Sequence, residues 1–317
     1  MEWDGEMSTE GVYVTLDDLI QLQYRARGLS FLPKQPVHSL LSGRHSSRVR
    51  GRGLDFEELR GYLPGDDPRT IDWKVTARTG KAHVRVFTEE RDRPALLVVD
   101  QRVSMFFGTR VAMKSVTAAQ VAAAGAWRVT GQGDRVGAVV FDDVDEVSIR
   151  PHRSKQTVLR ILHALVEKNR ALRADSDMKP DAGMLNRVLE GVSSTVTHDY
   201  LVVLISDFDG ADQETTRIVA RLARHNDVLA VPVYDPSRTE LPAQGRLVVS
   251  DGELHVELDV GKASTRRRLM DMADARLASI MAWQSELAVP VLPLSTGEDV
   301  LEQARQLLGH GPRGGAR

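Results

Sequence analysis

Cysteine is absent from this chain of 317 residues. That excludes disulfides, thiolate nucleophiles and cysteine-built zinc sites. Excess charge of either sign is missing too: 42 Lys and Arg stand against 44 Asp and Glu, a formal net charge of -2. No global pull toward nucleic acid or an anionic membrane is therefore expected. No apolar run approaches the roughly 18 residues needed to cross a bilayer. The opening stretch MEWDGEMSTE is acidic and lacks the apolar core of a signal peptide, so a cytoplasmic location is expected. Three catalytic signatures are also missing: a Walker-type Gly-x-x-x-x-Gly-Lys-Ser/Thr loop, a His-Glu-x-x-His pair and a Gly-x-Ser-x-Gly elbow.

What is present is organised around residues 95–104, ALLVVDQRVS. Apolar residues on successive positions, without alternation, suit a central strand buried on both faces. Open α/β sheets gather ligands where such strands end, and Asp100 stands at that end. The pattern returns at residues 200–210, YLVVLISDFDG, where Asp207 and Asp209 follow another apolar run. Two parallel strands would deliver these carboxylates to one rim.

Around these strands the chain alternates strand and helix patterns, which implies a mostly parallel sheet with helices on both faces. Helices are expected over residues 111–130, 154–169, 182–192, 215–224, 262–287 and 298–308. Further strands are expected at 135–141, 146–149, 228–233 and 289–294. Residues 246–260 alternate around Asp251–Gly252, the signal of an antiparallel hairpin, placed at a sheet edge. Residues 310–317, HGPRGGAR, form a disordered tail in this reading. Met270, Met272 and Met281 lie on the long helix and are most simply core.

Residues 1–93 differ in character. Thr15 caps a helix over 15–27 whose stripe is Leu16, Leu19 and Ile20, with Gln23–Tyr24. Arg44, Arg48, Arg50 and Arg52 crowd a glycine-bearing loop, read either as a solvated loop or as a contact for an anion or an acidic partner. Residues 53–93 are dense in both signs of charge and too poor in apolar residues for a large core. They are expected to pack on the following domain, residues 94–309. As a recognition face this segment offers Asp55, Glu57, Arg60, Tyr62, Asp66, Asp67, Arg69, Asp72 and Trp73. The plainer alternative is a net of exposed ion pairs, each contributing about 0–1 kcal/mol.

GLDFEELRGYLPGDDPRTIDWKVTARTG (53–80), VRVFTEERDRPALLVVDQRVSMFFG (84–108) and GDRVGAVVFDD (133–143) together resemble the bacterial domain of unknown function fifty-eight family. The resemblance implies a von Willebrand factor type A-like fold. It also implies a partner, since members are often encoded beside MoxR-type AAA+ ATPases that remodel or mature client proteins. It implies no established reaction. Type A domains commonly hold Mg²⁺ through an Asp-x-Ser-x-Ser loop, a distant Thr and a distant Asp. Here the loop reads Asp100-Gln101-Arg102-Val103-Ser104. Asp100 and Ser104 match, Arg102 replaces the first serine, and Asp207 matches the distant Asp with Asp209 beside it. The Thr should fall in residues 175–181, which contain none; Ser176 and Asp177 are imperfect stand-ins. A guanidinium can bridge carboxylates with paired donors. Arg102 is accordingly expected to stand in for the ion, pairing with Asp100, Asp207 or Asp209; the plainer alternative is that it points to solvent and the site is simply dead. The function expected is non-catalytic: an adaptor for a MoxR-type ATPase and a client protein, with no cofactor. The rival is a Mg²⁺-dependent hydrolase or ligand-binding domain on Asp100, Asp207 and Asp209, with Asp100, Ser104 and Asp207 as ligands.

Overall fold

The computed structural model describes residues 11–26, 54–89, 94–173, 180–236, 246–250, 255–259 and 263–308. The Arg44–Arg52 loop, Ser176, Asp177 and residues 310–317 lie outside the described residues, as do the side chains of Met270 and Met272. The chain divides into two compact units, residues 38–92 and the remainder.

The larger unit begins with α1 (Leu16–Arg25). Thr15 and Asp18 close a capping box at its start, satisfying end N–H groups that no helical carbonyl can reach. Leu19 and Leu22 are its buried residues, with Leu16 and Ile20 partly buried, whereas Tyr24 is 58% exposed. The expected stripe is thus shifted from Tyr24 to Leu22, the position on the same face as Leu19. The helix packs in the larger unit, against the core it shares with α3 and α4.

The smaller unit holds β1 (Leu54–Gly61), α2 (Trp73–Thr79) and β2 (His83–Glu89). The two strands pair antiparallel, from Leu54 opposite Glu89 to Gly61 opposite His83.

The rest of the larger unit runs β3 (Ala95–Asp100), α3 (Lys114–Gly131), β4 (Val136–Phe141), β5 (Glu146–His152), α4 (Lys155–Ala171) and α5 (Met184–Thr195). It continues with β6 (Leu201–Ser206), α6 (Gln213–Ala223), β7 (Asp227–Tyr234), β8 (Arg246–Ser250), β9 (His255–Asp259), α7 (Ala263–Glu286), β10 (Leu294–Ser295) and α8 (Val300–Leu308). The six-stranded sheet has the order β10-β7-β6-β3-β4-β5. All its neighbours are parallel except β4 and β5.

The unbroken apolar runs are explained by the two cores. In β3, Ala95, Leu97 and Val99 face a core shared with α1, α3, α4 and α8. Leu96 and Val98 face a second core shared with α5, α6 and α7. A strand buried on both sides cannot alternate. The alanines of α3, among them Ala118, Ala119, Ala122 and Ala126, are fully buried and let that helix approach the sheet closely.

Two expectations are corrected. The hairpin of β8 and β9 forms its own two-stranded sheet and does not extend an edge of the six-stranded one. Its ladder ends at Ser250 opposite His255, so Asp251–Gly252 falls in the connection, outside the described residues. The last strand, expected over 289–294, is reduced to Leu294–Ser295 and one bridge at Val291. Pro290 and Pro293 lack the N–H that a ladder needs.

Candidate functional site

Asp100 ends β3 with no exposed surface, and the chain then turns so that Gln101 and Arg102 both point inward. Gln101 donates to the Ser115 carbonyl at 2.9 Å and accepts from the buried Asn169 amide at 3.1 Å. Asn169 in turn receives the Val14 N–H. This chain of buried amides anchors the loop in the core, because every donor and acceptor in it has a partner.

Arg102 is the decisive residue. Its side chain is 2% exposed and folds back on Asp100. Nε lies 3.1 Å from each carboxylate oxygen and Nη2 lies 2.8 Å from Oδ2. The Arg102 backbone N–H adds a bond to Oδ1 at 2.9 Å. Nη2 also donates to the Asp209 carbonyl at 3.0 Å and stands 4.0 Å from Asp207 Oδ1. Nη1 reaches the Asp181 carbonyl at 3.4 Å, and the guanidinium sits 5.8 Å from the centre of the Phe141 ring. Burial alone would push the guanidinium pKa down. The charge of Asp100, supported by Asp207 and Asp209, outweighs it and holds the pKa above the usual arginine value. A buried charge is tolerable only when paired and hydrogen-bonded, and Arg102 is paired with Asp100 while each of its three guanidinium nitrogens has an acceptor.

The neighbouring strand completes the rim. Ser206, at the end of β6, donates to Asp100 Oδ2 at 2.6 Å. Asp207 accepts from Lys114 Nζ at 2.5 Å, from Ser104 Oγ at 3.2 Å and from the Asp209 N–H at 3.0 Å. Burial favours the protonated form of Asp207, but the charges of Lys114 and Arg102 dominate and draw its pKa down to about 2. Phe208 adopts a positive φ of 55°, uncommon for a bulky residue, and is fully buried edge-on to Trp283 at 5.4 Å. That anchor fixes the turn between Asp207 and Asp209. Gly210 follows at φ +76°, where a Cβ would stand 2.7 Å from the Ala182 carbonyl oxygen. The Asp209 side chain turns to Arg276 on α7.

A third strand end contributes as well. Asp143, just beyond β4, accepts the N–H of Val103 at 2.7 Å and that of Asp181 at 2.8 Å, tying the two loops together. Burial pushes its pKa up despite those bonds. Asp142 beside it accepts from Lys168 at 2.7 Å.

The five rim residues expected from sequence therefore come together. Arg102 pairs with Asp100 through its side chain and touches Asp209 only through that residue's carbonyl. Sequence reasoning missed Ser206, Lys114, Asp143 and Arg276. Lys114 carried a signal: a lysine in the first turn of a helix opposes the helix dipole and needs a compensating acid.

These residues do not fit a magnesium ion. Mg²⁺ requires six oxygen ligands in near-octahedral array. Both oxygens of Asp100 are engaged by the guanidinium, and Asp207 is engaged by an ammonium. Three cations, Arg102, Lys114 and Arg276, meet three carboxylates, Asp100, Asp207 and Asp209.

In the smaller unit the charged signature is largely spent locally. Arg60 clasps Asp66 with paired bonds of 2.9 and 2.7 Å, and Asp66 also accepts the Leu63 N–H. Asp67 caps the 3-10 turn at Pro68–Thr70 by accepting the Arg69 N–H, and Asp72 caps α2 through Lys74 and Val75. Trp73 is 68% exposed, with Leu63 and Tyr62 exposed as well. Asp55 and Glu57 lie on β1, their side chains outside the described residues.

Fold and rim together define an α/β protein built on a mostly parallel sheet, with helices on both faces and ionic groups gathered where β3, β4 and β6 end. Residues 58–278 match the family described as protein of unknown function DUF58, and the chain belongs to that family. It is 33% identical to the uncharacterized proteins Rv1480 of Mycobacterium tuberculosis (strain ATCC 25618 / H37Rv) and Mb1516 of Mycobacterium bovis, over 91% of this chain and 89% of theirs. Among solved structures it is similar to a von Willebrand factor type A protein from Catenulispora acidiphila. That match has a TM-score of 0.33 and 12% identity, and covers 71% of this chain and 42% of the other. A similar match is the SpRpn10 VWA domain, with a TM-score of 0.33, 11% identity and coverage of 69% and 97%.

Proposed function

We propose that this protein is a non-catalytic, cytoplasmic adaptor whose type A metal site has been replaced by an internal ion pair. We propose further that it couples a MoxR-type AAA+ ATPase to a client protein. The observation that carries this reading is the buried guanidinium of Arg102 bonded to both oxygens of Asp100. With Asp100 and Asp207 held in this way by Arg102 and Lys114, neither carboxylate is free to coordinate a metal ion or to act as a general base. It is suited to holding three strand-end loops in one fixed shape, as a docking surface requires. The hydrolase alternative would need Asp100 and Asp207 released from their cations. No described helix is long and apolar enough to cross a membrane.

Within the smaller unit, exposed Trp73, Tyr62 and Leu63 are the residues best suited to anchor a partner, since aromatic side chains dominate interface energetics. The carboxylates of Asp66, Asp67 and Asp72, being engaged in the turn and helix caps, shape that surface.

Affinity purification of the tagged chain tests the proposal. Recovery of a MoxR-type ATPase with the wild type, and its loss with Trp73→Ala at unchanged thermal stability, is the result expected. Recovery of no ATPase, or phosphoesterase activity that depends on added Mg²⁺, would contradict it.

A further inference from the structure

A second polar site lies at the opposite end of α3 from the rim. Arg128 is fourteen residues beyond Lys114, which places it about 21 Å along the helix axis. There a pocket of about 320 Å³ is lined by Gln23 and Ala26 from α1 and its C-terminus, Trp127, Arg128, Thr130 and Gly131 from α3, and Lys155 from the start of α4. That volume is at the small end of the range for ligand pockets.

Its chemistry is one-sided. Among the described residues two cationic side chains line it and no carboxylate does. Among the described residues neither Arg128 nor Lys155 has a salt-bridge partner. The contrast with the rim is direct, because there every cation meets an acid. The Nε–H of Arg128 and the hydroxyl of Thr130 are both buried without a hydrogen-bond partner. Buried donors without acceptors are costly, and each such group calls for an explanation. The negative end of α3 does not supply those acceptors. The carbonyls of Arg128, Val129 and Thr130 already accept from the N–H groups of Gln132, Gly133 and Asp134. Across the pocket, Lys155 opens α4 behind its Ser154 cap, so that helix presents its positive end.

We propose that this pocket binds a small phosphorylated molecule, its phosphate held by Arg128, Thr130 and Lys155. A guanidinium edge, a hydroxyl and an ammonium are donors suited to a tetrahedral dianion, and a phosphate oxygen would satisfy the orphaned Nε–H. Trp127 supplies an aromatic wall that is itself fixed, since its indole N–H donates to the Leu19 carbonyl at 3.0 Å. The site is independent of the adaptor reading, because it uses no rim residue and no residue of the smaller unit.

The test uses that indole group as a reporter in the full-length chain. The four tryptophans give resolvable indole N–H resonances, and Trp127→Phe assigns the relevant one. Titration with inorganic phosphate, and separately with ribose 5-phosphate, should move the Trp127 resonance saturably and leave that of Trp283 in place. Arg128→Gln and Lys155→Gln should each weaken binding by about tenfold, the loss of one charge-assisted contact. Lys155 is exposed, so its variant keeps the test valid if Arg128→Gln unfolds. Tighter binding of the sugar phosphate would identify an esterified ligand, and tighter binding of the free ion would identify phosphate itself; either supports the site. No saturable shift up to about 10 mM of either probe, far weaker than functional affinities, would overturn the proposal. So would equal binding by the wild type and both variants.

Discussion

Aspartate and arginine meet in both units of this protein, with opposite consequences. At the rim, Arg102 and Asp100 are both buried and the pair sits among strand ends from one sheet. In the smaller unit, Arg60 and Asp66 make an equally well-formed fork, but the Arg60 side chain is 38% exposed and its partner lies six residues away. Water and salt screen the second pair, so breaking it changes a turn. Nothing screens the first pair, so removing one member strands a charge in the core. Identical chemistry is structural in one place and nearly optional in the other, and burial decides which.

The largest expected effect comes from breaking the buried pair. Arg102→Met should destabilise the larger unit by about 3–5 kcal/mol, because Asp100 is left charged and unpaired. Denaturant unfolding measures this. The double variant Asp100→Leu/Arg102→Met should recover part of the loss, since apolar replacement of a buried pair is often tolerated. Recovery should be incomplete because Ser206 then loses its acceptor.

A smaller effect is expected from pH. Asp207 has a folded-state pKa below its ordinary value of 3.8, so the folded protein holds this proton less tightly than the unfolded chain does. Its contribution is complete above about pH 4 and is lost as pH falls toward 2, amounting to about 2 kcal/mol for a shift of this size. Asp143 is shifted the other way by burial and acts with opposite sign near the same pH. The difference between wild type and Asp207→Asn, followed from pH 6 downward, isolates the Asp207 contribution. A difference that stays constant across that window would contradict the assignment.

The smallest effect belongs to the exposed fork. Arg60→Gln should leave the main unfolding transition where it was and speed hydrogen exchange at the Leu63 N–H, which relies on Asp66. A global loss of stability comparable to that of Arg102→Met would erase the distinction between the two regions.

How much of this could be seen in the sequence follows the same physics. The two-sided burial of β3 and β6 was legible because it forbids alternation, and the strand-end positions of Asp100, Asp207 and Asp209 came with it. The pairing of Arg102 was expected from a charged residue sitting where a hydroxyl ligand would be. Lys114 and Arg276 were not identified, because they reach Asp207 and Asp209 from helices 93 and 67 residues away in sequence. Only the folded sheet brings those groups together. Ser206 escaped notice because a serine closing an apolar strand looks like an ordinary strand end. In the smaller unit the carboxylates looked like a recognition face, since caps and turn bonds at Asp66, Asp67 and Asp72 depend on backbone geometry that charge density does not encode.

In the proposed function the guanidinium of Arg102 holds the ground a divalent ion would need. Calorimetric titration of Mg²⁺ into the wild-type chain tests it most directly. No stoichiometric binding heat is expected at millimolar Mg²⁺; one-to-one binding that disappears in Asp207→Asn would contradict replacement of the ion by Arg102.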